Sequence, residues 1–97
     1  MVRWSQRVRA DLKAIHDYIS NDSPHNAKAV AREIHRRAAT LPATPHIGRR
    51  VAELHDADIR EISVHSWRVI YQRRGEDIFI VTLVHVRRAP TAADLQG

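Results

Sequence analysis

A chain of 97 residues with 43% hydrophobic and 28% charged content is long enough for one core and too apolar for the disordered class. It has no cysteine, which excludes disulfides, thiol nucleophiles and cysteine metal sites. Its net charge of +5 is carried mostly by arginine, since Lys13 and Lys28 are the only lysines; this admits nucleic-acid or acidic protein partners, and equally a plain arginine-rich coding bias.

Val2 to Trp4 is a short strand candidate. Ser5 reads as an N-cap, and Val8, Leu12, Ile15 and Ile19 then recur as one helical stripe. The turn formers of residues 20–23 should end that helix. Ser23-Pro24 opens a second helix, with Ala27, Val30, Ile34, Ala38 and Leu41 as its apolar stripe and Lys28, Arg32 and Arg36 as a solvated basic one. The short link predicts an antiparallel helical hairpin. Residues 41–50 hold two prolines and a glycine and read as an ordered loop; residues 51–54 are too short to assign.

Strands follow. Residues 59–64 alternate, His65-Ser66 is a tight turn, and residues 67–74 split by parity. Trp67, Val69 and Tyr71 share one side, and Arg68 and Ile70 the other. Gly75-Glu76-Asp77 is the second turn. Residues 78–88 are apolar on both faces through their middle, which predicts a central strand. The expected fold is α+β, ordered β-α-α-β-β-β, with the helical hairpin on one face of a small, mostly antiparallel sheet and the other face partly open. One domain spans 1–97, and 89–97 read as a tail or a short extra turn. No signal-peptide stretch opens the chain, and the apolar run 78–86 is far shorter than the ~20 residues that span a bilayer, so a cytoplasmic protein is expected.

In order and spacing, the chain resembles the RelE/ParE superfamily of bacterial type II toxin–antitoxin toxins. The resemblance rests on W-S-x-x-V-x-x-D-L-x-x-I-x-x-Y-I (Trp4 to Ile19), S-P-x-x-A (Ser23 to Ala27) and P-x-x-G-R-x-V-x-E-L (Pro45 to Leu54). It continues in I-R-E-I (Ile59 to Ile62), W-R-V-I-Y (Trp67 to Tyr71) and V-H-V-R-R (Val84 to Arg88). The pattern is more similar to the ParE branch than to the RelE branch. It implies a growth-inhibiting toxin neutralised by a cognate antitoxin, with DNA gyrase as the target of ParE-like members and ribosome-bound mRNA as the substrate of RelE-like ones.

RNA cleavage by the RelE route needs a base, an acid and a phosphate clamp. The resemblance points to Glu53 as base, Arg68 as clamp and His85 as acid. The C-terminal residues 89–97 lack the tyrosine, lysine or histidine that nuclease members usually carry there, which favours the ParE reading. Each candidate also has a structural reading: Glu53 as a solvated loop carboxylate, His85 as a hydrogen-bonded strand histidine, and Arg68 as the cross-strand partner of Glu61. A target- or antitoxin-binding surface needs less. Arg49, Arg50, Arg60, Arg68, Arg87 and Arg88 come from loop and strand ends and could line one basic face. The seven histidines show no zinc spacing, and no phosphate or dinucleotide loop appears, so neither metal nor cofactor is expected. A non-toxin, basic nucleic-acid-binding module is the remaining alternative.

Overall fold

The computed structural model describes residues 1–91 and residue 94. The chain runs β1 (Val2–Trp4), α1 (Gln6–Ser20), α2 (Pro24–Ala39), β2 (Arg49–Arg50), β3 (Ile59–Val64), β4 (Trp67–Arg74) and β5 (Asp77–His85). Both helices start where capping chemistry dictates. The Ser5 hydroxyl accepts from the Val8 N–H at 3.1 Å, and the Ser23 hydroxyl from the Asn26 N–H at 3.1 Å, with Pro24 in the first turn.

The five strands form one sheet in the order β1-β5-β4-β3-β2. Only β1 pairs in parallel, alongside β5; the other ladders are antiparallel. The two-residue β2 lies inside the stretch expected to be loop. Its pairing of Arg49 with Glu61 and Arg50 with Arg60 is too short to announce itself by alternation.

The apolar stripes of both helices, Val8, Leu12 and Ile15 with Val30, Ile34 and Ala38, bury against Ile62, Val64, Val69, Tyr71, Ile78, Ile80 and Leu83. The opposite face is less open than the sequence suggests. Val51, Ile59, Ile70 and Val84 form a second, smaller cluster there, with Leu54 and Val81 at its margin. The segment between β2 and β3 therefore roofs that face.

β5 changes sides partway along. Its ladder with β4 pairs Ile70 with Thr82 and Tyr71 with Ile80, which leaves Val81 as an extra residue. Before this bulge Ile78 and Ile80 face the helices; after it Leu83 does, while Val81 and Val84 join the other cluster. One inserted residue exchanges the faces of everything beyond it.

The proline-rich loop before β2 is anchored by Tyr71. Its buried hydroxyl donates to the Pro45 carbonyl at 2.9 Å and accepts from the Gly48 N–H at 3.0 Å. Burial pushes the phenol pKa up, so the group stays protonated and able to donate. A Cβ on Gly48 would lie 2.5 Å from that hydroxyl and 2.7 Å from the Glu61 carbonyl oxygen, and backbone cannot yield as a flexible side chain would. Gly48→Ala is therefore expected to destabilise the fold by about 1–3 kcal/mol through overpacking. Tyr71→Phe should lower stability by a similar ~1–3 kcal/mol by stranding two buried backbone groups. Urea unfolding of both variants checks this; a Gly48→Ala midpoint equal to that of the parent would refute the close approach.

Candidate functional site

Arg68 is buried near the start of β4, on the face away from the helices, with 7% of its surface exposed. An arginine so placed must be paired. Its Nε donates to Glu61 Oε2 at 3.1 Å, and Nη2 bonds the same oxygen. Glu53 takes a two-point contact, from Nη1 at 2.9 Å and from Nη2 at 2.8 Å. The remaining Nη1 proton goes to the Arg88 carbonyl at 3.2 Å. A guanidinium has five N–H donors in a fixed fork, and these contacts use all of them.

Strand geometry brings the partners in. Ser63 stands opposite Arg68, so Glu61, two residues along β3, is its diagonal neighbour on the same face. Arg49 stands directly opposite Glu61 and donates to Oε1 through Nε at 2.9 Å. Two carboxylates and two guanidiniums thus form a cluster with no net charge. Glu61 is 2% exposed and is satisfied from both sides, while Arg49 reaches out to solvent. The Arg68 hydrogen bonds hold the Glu53 carboxyl well below the usual range, at about 2. Arg68 is raised in turn, through Glu53 first and Glu61 next. Beside this cluster lies a cleft of about 270 Å³ between Arg49, Arg50, Glu53 and Val86.

The other sequence candidates do not all converge here. His85 stands opposite Trp67, not Arg68, and its ring meets the indole edge to face at 5.3 Å. The bulge at Val81 is the reason, since it turns His85 to the helix side. The Glu53, Arg68 and His85 set expected for a nuclease is therefore split across the sheet. Arg60 alternates with Glu61 on β3 and donates to the Gly48 carbonyl at 2.9 Å, beside Tyr71, so it also leaves the Arg68 face. Arg49, Arg50 and Arg68 do share the cleft. Arg87 is exposed, and its backbone N–H donates to His85 Nδ1.

The expected tail is partly folded back. Asp94 is 3% exposed, accepts from the Thr91 N–H at 2.8 Å, and takes Arg7 and Arg88 at 3.2 Å each. The Thr91 N–H foremost lowers its pKa. Residues 92, 93 and 95–97 lie outside the described residues. Neither Arg7 nor this buried aspartate was singled out in the sequence, where Asp94 is one acid in a polar, alanine-rich stretch. Among the described residues no three His, Asp or Glu side chains gather as a metal site would require.

The cluster makes a pH prediction. A carboxyl depressed by pairing stabilises the fold in full above its unfolded pKa of about 4.3, and that contribution is lost as pH falls toward 2. Glu53→Gln is expected to flatten the stability profile between about pH 4 and pH 2, as read by thermal unfolding. Removing Arg68 leaves buried Glu61 with Arg49 alone, so Arg68→Ala should cost about 3–5 kcal/mol. Chemical denaturation would expose the idea as wrong if that variant lost under 1 kcal/mol.

Comparison with known proteins fits this architecture. Residues 2–90 match the family model described as the ParE toxin of the type II toxin–antitoxin system parDE. A curated relative, Toxin RelE2 of Caulobacter vibrioides, is 36% identical over 88 residues, covering 90% of this chain and 96% of that protein. Among solved structures, the chromosomal ParDE TA system from P. aeruginosa superposes with a TM-score of 0.69 at 20% identity, covering 87% of this chain and 92% of that one, which shows the shared fold. With the family model spanning nearly the whole chain, this protein belongs to the ParE toxins of type II toxin–antitoxin systems.

Proposed function

We propose that this toxin, when free, inhibits DNA gyrase by binding it, and that a cognate antitoxin neutralises it by binding the toxin. The observation that carries the reading is the full engagement of Arg68. All its donors are spent on Glu61, Glu53 and the Arg88 carbonyl, so none is left for a scissile phosphate. Glu53, with its pKa near 2, is a poor general base at neutral pH. His85, on the other face, is out of position to act as the acid.

Binding needs only a surface. Arg50 and Arg87 are exposed, and among the described residues neither guanidinium has a carboxylate partner. Arg50 lines the cleft with exposed Val86, and Arg87 follows Val86 in the chain, together a mixed apolar and cationic patch suited to an acidic protein surface. A second surface suits the antitoxin. Trp4 and Leu12 floor a groove of about 510 Å³, rimmed by Arg9, Lys13, His16 and His35. Such a groove fits the apolar face of an acidic amphipathic segment.

The relative named RelE2 keeps a nuclease as the second reading. That chemistry would require Arg68 to leave both carboxylates. Purified toxin freed of antitoxin is expected to block gyrase supercoiling at micromolar concentration and to leave mRNA on translating ribosomes intact. The double variant Arg50→Glu with Arg87→Glu should raise the inhibitory concentration at least ~10-fold, about 1.4 kcal/mol, with an unchanged melting temperature. Unimpeded supercoiling beside ribosome-dependent mRNA cleavage would overturn the gyrase reading in favour of the nuclease.

A further inference from the structure

The helix side of the sheet carries a site that neither reading uses. Where β4 begins and β5 ends, four ring side chains surround one cleft of about 250 Å³: Tyr18 from the last turn of α1, His65 from the β3–β4 turn, Trp67 and His85. Ser66 and Asn26 add a hydroxyl and an amide. Tyr18 is 71% exposed, an unusual placement for a large ring.

Two details describe how the imidazoles are held. His65 is the one described non-glycine residue with positive φ, at 54°, in a two-residue turn where glycine or asparagine would sit without strain. The turn keeps an imidazole there at an energetic disadvantage. His85 has its tautomer set. Nδ1 accepts the Arg87 N–H at 3.1 Å, so the neutral ring carries its proton on Nε2. The Trp67 edge fixes the plane of that ring.

We infer that this cleft binds a nucleobase, stacked on the Tyr18 and Trp67 rings and held at its edge by His65, Ser66, Asn26 and His85. Stacking surfaces alone would serve any flat group. The polar groups around them select one whose rim alternates donors and acceptors, as a base does and an apolar aromatic side chain does not. The cleft is smaller than the ~300–1,000 Å³ of drug-sized sites, which suits one base. The base can come from a free nucleotide or from a single strand.

The test is an amide and indole NMR titration of the free toxin with each nucleoside 5′-monophosphate, and separately with a six-nucleotide single-stranded DNA. Saturable shifts are expected at the Trp67 indole N–H and at Ser66. Tighter binding of the oligonucleotide than of any mononucleotide would mark a strand as the source, and equal binding a free nucleotide. Tyr18→Ala should weaken binding at least ~5-fold. His65→Gly relieves the turn and keeps the fold, so its loss of affinity reports the missing imidazole. No saturable shift at 10 mM mononucleotide or at 1 mM oligonucleotide would overturn the proposal. So would shifts confined to the Arg49 and Arg50 face, or binding unaffected by both variants.

Discussion

A guanidinium inside a protein this small must be fully engaged, and the engagement of Arg68 organises one whole side of the molecule. Its partners come from four other places in the chain: Glu61 on β3, Glu53 from the roofing segment, the Arg88 carbonyl beyond β5, and Arg49 on β2 through Glu61. Arg68 joins these distant segments at one point. The Arg49–Glu61 pair adds to the ladder and to the Tyr71 anchor in keeping the two-residue β2 on the sheet edge. The roofing segment is held by Glu53 on Arg68 and by the flanking Val51 and Leu54 on the small apolar cluster. Replacing such a cluster with well-packed apolar residues can be neutral, but removing one member strands buried charge. That asymmetry makes the cluster a constraint on geometry more than a source of stability.

Much of the fold was legible because its signals are local. Ser5 and Ser23-Pro24 cap helices wherever they precede an apolar stripe, and Val8, Leu12 and Ile15 can share a face only as a helix. Parity separated Trp67, Val69 and Tyr71 from Arg68, and the packing puts the first three on the helix side and Arg68 on the other. What escaped depends on contacts distant in sequence. Nothing near Val81 announces a bulge, because both faces of β5 are apolar and either parity reads as a good strand. That one residue moved His85 across the sheet. Asp94 escaped for a similar reason. Its partner Arg7 lies 87 positions away, and an acid among alanines carries no pattern.

The candidate site was half legible. Glu53 and Arg68 were singled out together, and they do meet, but in a closed arrangement. A base, a clamp and an acid can be named from residue types, whereas their roles depend on which donors remain unspent. Sequence shows the inventory of hydrogen-bonding groups and only structure shows the allocation. The same two-point contact that makes arginine a good phosphate ligand makes it a good carboxylate ligand, and here two carboxylates are already in place.

Allocation also changes the meaning of the net charge. A chain of +5 suggests a broadly basic surface, yet its arginines differ greatly in what they offer. Arg3 pairs with Asp77, Arg7 and Arg88 with Asp94, Arg36 with Glu33, and Arg49 and Arg68 with Glu61. Their fields are largely cancelled at short range, and beyond about 8–10 Å salt screens the remainder. The uncancelled charge sits on the arginines that no carboxylate answers among the described residues, Arg50 and Arg87 among them. Arg50 stands on the edge strand beside the Arg68 cleft, and Arg87 just past the end of β5. A partner drawn by charge meets such residues first, and the apolar or aromatic ground beside each decides whether it stays.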